Sequence, residues 1–278
     1  MSSSLMNAPS SLAIIAGKGA YPRLLAESAR SQGVSNISVI AFKRETDPRI
    51  EEKADSTTWI HIGQLEKMLE AIAASDAKQA VMAGQVTPTS LFNVRLDAKM
   101  RSVLKELSVK NAETIFGAVG NELKNVGVEL IPASTFMEDH MPQQGVLTAR
   151  SPEPHELSDI ELGKHVAKTT SGLDIGQTVV IKEGTILAVE AFEGTNAAIR
   201  RAADLAGEGI VIVKVAKNGH DMRFDIPVVG PDTIRLLKKI KAGVLAIEAG
   251  RAIILDRNIV IEEANNAGIC VTAVSCDE

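Results

Sequence analysis

Leu12-Ala-Ile-Ile-Ala16-Gly17-Lys18-Gly19-Ala20-Tyr21-Pro22 decides the architecture of this chain. Five apolar residues predict a buried strand, two glycines a tight turn, and Pro22 the first turn of a helix, where a missing amide is tolerated. Glycine at position 33 marks where that helix ends. The same grammar repeats downstream. Residues 37–42 read as a second strand, 64–74 as a helix, and 79–83 as a third strand leading into Gly84-Gln85-Val86-Thr87-Pro88. Residues 97–107 and 111–125 read as helices and 128–131 as a further strand. Strands alternating with helices predict a parallel sheet with right-handed crossovers. The expectation is an α/β protein whose residues 12–135 form a Rossmann-like N-terminal domain, behind a disordered lead-in at 1–11.

Residues 136–154 change texture. Pro142, Gly145, Pro152 and Pro154 fall in a stretch of weak periodicity, which reads as a linker. Beyond it, 155–170 is an amphipathic helix, followed by strands at 177–182, 186–191 and 209–215. A helix at 231–242 and short strands near 252–255 and 269–274 complete the chain. Lys182-Glu183-Gly184-Thr185 has the composition of a tight hairpin, so antiparallel pairing is expected here. Residues 155–278 are therefore expected to form a mixed C-terminal α/β catalytic domain. A length of 278 residues accommodates two cores.

Composition narrows the function. Aromatic residues are 3% of the chain, too few for the stacking platforms of single-strand nucleic-acid binders. A net charge of −5 offers no global attraction to nucleic acid or anionic lipid, so a polyanion must be held by a local basic cluster. Cys270 and Cys276 form no Cys-x-x-Cys pair and read as thiols in a reducing cytoplasm. The first residues lack the basic and apolar regions of a signal peptide, and no apolar run approaches the roughly 20 residues that span a bilayer. A cytoplasmic protein is expected, with peripheral membrane contact open to it.

Four segments carry candidate chemistry. Gly17-Lys18-Gly19 sits where a strand-to-helix loop cradles phosphate, although Pro22 breaks the Gly-x-Gly-x-x-Gly pattern and a tight turn needs glycine anyway. NAD is disfavoured, because Phe42-Lys43-Arg44 stands where an acidic residue would end the second strand. Gln85 and Thr87 follow the third strand and suit a uracil or ribose, or simply end the strand. Glu190-Ala-Phe-Glu193-Gly194-Thr195-Asn196 ends a strand and opens a helix, so Thr195 is either an anion donor or an N-cap. The richest segment is Lys214…Lys217…Asp221-Met-Arg223-Phe-Asp225-Ile-Pro227-Val-Val-Gly230-Pro231-Asp-Thr233. If 221–225 is extended, Asp221, Arg223 and Asp225 share a face, and the two acids converge on one cation beside lysines that hold phosphate. The alternative is a salt-bridged strand face. His61, His140, His155, His165 and His220 show no metal-ligand spacing, and no Gly-x-Ser-x-Gly elbow supports a serine hydrolase.

That segment, together with Asp174-Ile-Gly176-Gln177-Thr-Val-Val180, Val189-Glu190-Ala-Phe-Glu193-Gly194-Thr195-Asn196, Ile14-Ile-Ala-Gly17-Lys-Gly19 and Gly84-Gln85-Val86, closely resembles the LpxI family. These are bacterial UDP-2,3-diacylglucosamine pyrophosphatases of lipid A biosynthesis. The resemblance implies hydrolysis of the pyrophosphate to UMP and 2,3-diacylglucosamine 1-phosphate (lipid X), with Mg²⁺ or Mn²⁺ as cofactor. It further implies a homodimer working on a lipid-linked nucleotide sugar, with transient contact at the inner membrane. It makes Asp225 the key catalytic residue, beside Asp221 and Arg223. Gly17, Lys18, Gly19, Gln85, Thr195, Lys214, Lys217 and Thr233 then bind substrate or phosphate. Two departures stand out: Asn196 replaces a family aspartate, and His220 a glutamine. The first either weakens metal affinity or shifts the expected metal load onto Glu190, Glu193 and the Asp221/Asp225 pair. Two rival readings are a hydrolase of an unacylated nucleotide sugar and a non-catalytic nucleotide-sugar sensor.

Overall fold

A computed structural model describes residues 8–86, 95–217, 221–224 and 226–276. Contacts divide them into two compact units: those within Met1–Met137 and Asp221–Asp225, and those within Glu138–His220 and Ile226–Glu278. The expected α/β class with two domains is what the chain forms.

Unit 1 is built on a parallel sheet of β1 (Ser11–Ala16), β2 (Asn36–Phe42), β3 (Ser56–Ile60), β4 (Gln79–Ala83) and β5 (Glu129–Leu130), in the order β3-β2-β1-β4-β5. β1 is central, buried along nearly its whole length, which is why its sequence is a continuous apolar run rather than an alternation. Ala13, Ile15, Ile40 and Phe42 face a core shared with helices α2 (Leu65–Ala73), α3 (Ala98–Glu106) and α4 (Ala112–Asn125). Helix α1 (Tyr21–Ser31) buries Leu25, Ala26 and Ala29. Asp97 and Asn111 cap α3 and α4, accepting from the Met100 and Thr114 amides at 2.8 and 2.9 Å. β3 is a strand the sequence reading did not contain. Its Ser-Thr-Thr-Trp-Ile sequence carries no core-facing run, because the strand is at the sheet edge and half exposed.

Unit 2 holds a six-stranded sheet in the order β6-β13-β11-β9-β7-β8. β9 (Val211–Lys214), β11 (Val244–Glu248) and β13 (Cys270–Val274) are parallel. β7 (Thr178–Lys182) runs antiparallel to β9 and to β8 (Thr185–Val189), and β6 (Gly145–Val146) antiparallel to β13. The stretch read as a linker thus contributes an edge strand. β10 (Val228–Val229) and β12 (Ile253–Ile254) form a separate parallel pair. The hairpin between β7 and β8 turns at Glu183 and Gly184, both with positive φ (48° and 75°), as its composition predicts. Helix α5 (Pro154–Gly172) packs on β7 and β9 through Ile160 and Ala167, and its Asp159 accepts from the Glu183 and Gly184 amides at 2.9 and 2.7 Å. Helices α6 (Thr195–Ala206), α7 (Pro231–Lys239) and α8 (Arg257–Asn266) bury Ala198, Ile199, Ile234, Leu237, Val260 and Ala264 in a second core cluster. No helix of the described residues is long and apolar enough to cross a membrane.

Candidate active site

In unit 1 the chain proceeds from β1 to one side of the sheet and returns to its other side at β4. The crevice outside the C-terminal ends of such strands is where open α/β sheets bind ligands. Gly17-Lys18-Gly19 leaves β1 there, and Gly84-Gln85-Val86 leaves β4. The two loops are zipped together: the Lys18 amide donates to the Gln85 carbonyl at 2.7 Å and the Gln85 amide to Lys18 at 3.1 Å. A Cβ on Gly17 would stand 2.6 Å from the Gln85 carbonyl oxygen, and one on Gly84 2.7 Å from that of Lys18. Glycine is required because two backbones touch, independent of any ligand. Lys18 and Gln85 are exposed at this junction. Thr87 lies outside the described residues.

The premise that 221–225 is extended does not hold for the described part. Residues 221–224 form a turn, closed by the Phe224 amide donating to the Asp221 carbonyl at 3.3 Å. Phe224 is the reason: it is buried in the unit 1 core, its ring centroid 5.9 Å from that of Phe116 on α4. The Ala133 amide donates to the Met222 carbonyl at 2.7 Å, fastening the turn to the loop after β5. Within the turn the Arg223 guanidinium grips Asp221, with Nε at 2.8 Å from Oδ1 and Nη2 at 2.5 Å from Oδ2, and this carboxylate raises the arginine pKa. Asp225 and His220 lie outside the described residues.

Unit 2 brings three expected residues together. Lys214, ending β9, donates from Nζ to Thr195 Oγ1 at 2.9 Å, and Thr195 donates to Glu190 Oε1 at 2.8 Å. Thr178 Oγ1 lies 3.4 Å from both Lys214 Nζ and Thr195 Oγ1. Thr195 opens α6 behind Gly194, whose φ of 81° turns the chain from the loop into the helix. Gly176 lets Glu190 in, since a Cβ there would meet the Glu190 carbonyl oxygen at 2.2 Å. Glu190 Oε2 is buried and has no hydrogen-bond partner among the described residues. A buried carboxylate oxygen left in this state is costly, which marks it as a position for a further positive group.

The other expected residues are dispersed. Lys217 Nζ reaches Asp174 Oδ1 at 3.3 Å. Glu193 folds back on its own turn, accepting from the Ala191 amide at 3.1 Å and from Arg201 at 2.8 Å, and the Arg201 hydrogen bond lowers its pKa. The Thr233 hydroxyl lies 3.5 Å from the Gly230 amide at the start of α7. Among the described residues no three His, Cys, Asp or Glu side chains gather into a group able to hold a metal. A buried pair that the sequence reading missed, Lys168 with Glu248, sits at the C-terminal end of β11 with Nζ–Oε1 2.8 Å. Its signal was an acid closing the apolar run Val-Leu-Ala-Ile-Glu, a strand that reading did not contain.

The LpxI N-terminal domain model matches residues 11–140 and the LpxI C-terminal domain model residues 143–272. The chain belongs to the LpxI family. A Caulobacter vibrioides member named UDP-2,3-diacylglucosamine pyrophosphatase LpxI is 33% identical over 96% of this chain and 98% of its own length. Two solved structures were also matched: an N5-carboxyaminoimidazole ribonucleotide synthetase bound to ADP (TM-score 0.28, 11% identity) and a biotin carboxylase domain from Hydrogenobacter thermophilus (TM-score 0.27, 13% identity). Each match covers 70% of this chain, which spans only 44% and 41% of those chains, and neither carries an argument about function. Within this LpxI-family chain, Asn196 falls in the first turn of α6, one residue after the hydroxyl that links Lys214 to Glu190.

Proposed function

We propose that this protein is a hydrolase that cleaves the pyrophosphate bond of UDP-2,3-diacylglucosamine, releasing UMP and lipid X. The observation that carries this reading is full-length membership of a family in which a relative of that name aligns over nearly all of both chains. In this reading Lys18 and Gln85, at the unit 1 switch point, take part in holding the nucleotide. In unit 2, the Lys214 ammonium and Thr195 hydroxyl meet phosphoryl oxygens, where a fixed cation stabilises charge that builds up in the transition state. In unit 1, Arg223 is held by Asp221 in a fixed fork and is proposed as a phosphate-binding cation. Lys217 and the α7 start at Thr233 remain candidates for phosphate contact.

A divalent cation, Mg²⁺ or Mn²⁺, is proposed as cofactor. The unpartnered Glu190 Oε2 suits it, since such ions take one or two carboxylates and retain several waters. The Asp221 and Glu193 carboxylates are already engaged by guanidinium groups, so of the described acids Glu190 carries the proposal, and the role of Asp225 rests on the family resemblance alone. Such an ion, when bound, polarises the phosphoryl oxygens. Transient contact with a lipid surface belongs to the same reading, because the substrate carries acyl chains, and the family resemblance adds a homodimer to it.

The test is UMP formation from UDP-2,3-diacylglucosamine, with and without EDTA. Release in the presence of Mg²⁺, lost with EDTA and lost in Asp225→Ala, is expected. Turnover of the deacylated sugar nucleotide at equal rate would favour the unacylated-substrate reading. Binding without UMP at any Mg²⁺ concentration would favour the sensor.

A further inference from the structure

The chain that follows β9 keeps one bond to the β7 side, the Val215 amide donating to the Gln177 carbonyl at 3.0 Å, and is then held by charge. The last register pair between β9 and β11 is Lys214 with Ile247. Ala216, two residues on, is completely buried, so both of its backbone polar groups need partners. The Glu248 carboxylate accepts from the Ala216 amide at 2.7 Å, and the Lys168 ammonium donates to the Ala216 carbonyl at 2.9 Å. The same ammonium donates to both Glu248 oxygens, at 2.8 and 2.9 Å, so its three donors are used on one clamp. Arg251 extends the clamp by one residue, Nη2 reaching the Lys217 carbonyl at 3.3 Å while Nε lies 3.8 Å from Glu248.

Glu248 is 2% exposed, and the side chains of the pair are 3% and 13% exposed. A buried ion pair is a poor source of net stability, because desolvation offsets its attraction, but it fixes geometry well. Here it grips the peptide that lies between Lys214 and Lys217. Resting on the reading that these lysines meet the pyrophosphate, we infer that Lys168 and Glu248, with Arg251, are positioning residues that preorganise this lysine-bearing strand end. They touch no substrate. They hold the backbone so that the ammonium groups need not be ordered during the reaction, which affects turnover more than binding.

The variants are Lys168→Met/Glu248→Gln, which removes both charges together, and Arg251→Met, whose side chain is partly exposed and whose loss leaves the buried pair intact. Each is assayed for UMP release over a range of UDP-2,3-diacylglucosamine concentrations with Mg²⁺, and for amide hydrogen exchange. The double variant is expected to lose at least tenfold in kcat with KM within threefold of wild type, and Arg251→Met about threefold in kcat. Exchange across residues 214–217 rises in both while β11 and β13 stay protected. Wild-type kcat despite faster exchange at 214–217 would overturn the positioning role, and unchanged exchange would overturn the clamp. If the double variant does not fold, Arg251→Met decides by the same criteria. A wild-type chain that releases no UMP defeats the proposed reaction instead, and the clamp then stands or falls on exchange alone.

Discussion

Lys214 connects a strand end to a helix start through a single hydroxyl, and a neutral replacement there separates its chemical role from its packing. Lys214→Met keeps the aliphatic stem but removes the donor to Thr195 and the cation proposed to face phosphate. The expected loss is on the order of 10²–10³ in kcat for UMP release, the usual effect of deleting one oriented charge-stabilising donor. A variant with wild-type kcat would move the phosphate site elsewhere. Glu193 offers a test by titration. Its folded pKa is depressed, first by the Arg201 hydrogen bond, from an ordinary value of 4.5. The stabilisation it brings is therefore present above that ordinary value and is lost as pH falls through the folded one. Solvent screening keeps the contribution small. In Arg201→Met the Glu193 carboxyl, followed by NMR, is expected to titrate nearer the ordinary value. An unchanged titration would refute the pairing.

At the scale of elements, α5 sits unusually close to the sheet beneath it. A Cβ at Gly163 would stand 2.5 Å from Val213 Cγ2 and 2.7 Å from Ile181 Cδ1. Gly163 has no turn to make; it is there because β7 and β9 fill the space. Gly163→Val is expected to lower the unfolding free energy by about 1–3 kcal/mol through overpacking, read as a reduced urea midpoint by circular dichroism. A midpoint equal to wild type would mean that the helix shifts freely. This contact was illegible in the sequence, where 155–170 could be read as an amphipathic helix but not assigned a partner. The hairpin turn was legible, because its determinant (Glu183-Gly184) acts within a few residues. β11 escaped notice although it lies in the middle of its sheet. Its run of five residues carries no periodicity to distinguish it from a buried helical turn.

At the scale of the molecule, the contribution of Asp221–Asp225 to unit 1 is the least local feature of the chain. Phe224 enters a core otherwise made by residues before 131. Phe224→Ala is expected to destabilise unit 1 by about 3–5 kcal/mol, as other deletions of buried aromatics do. Hydrogen exchange in α4 and β4 should rise while β9 and β11 keep their protection. Equal loss of protection in both units would show instead that they unfold as one.

What the sequence determined by itself is what short-range rules control: the β1 run and its glycine turn, the strand–helix alternation, the hairpin, and the motifs that carry the LpxI resemblance. Tertiary structure alone decided the roles of Gly17 and Gly84, which are glycines because two loop backbones meet. It decided that Asp221 and Arg223 pair within a turn, since burying Phe224 outweighs the alternation that an extended segment would have used. It also changed the standing of the acids expected to hold a cation. Glu193 is committed to Arg201, and Glu190 keeps a buried oxygen without a partner among the described residues. Each of these depends on which distant backbone arrives beside a side chain, and no window of neighbouring residues contains that information.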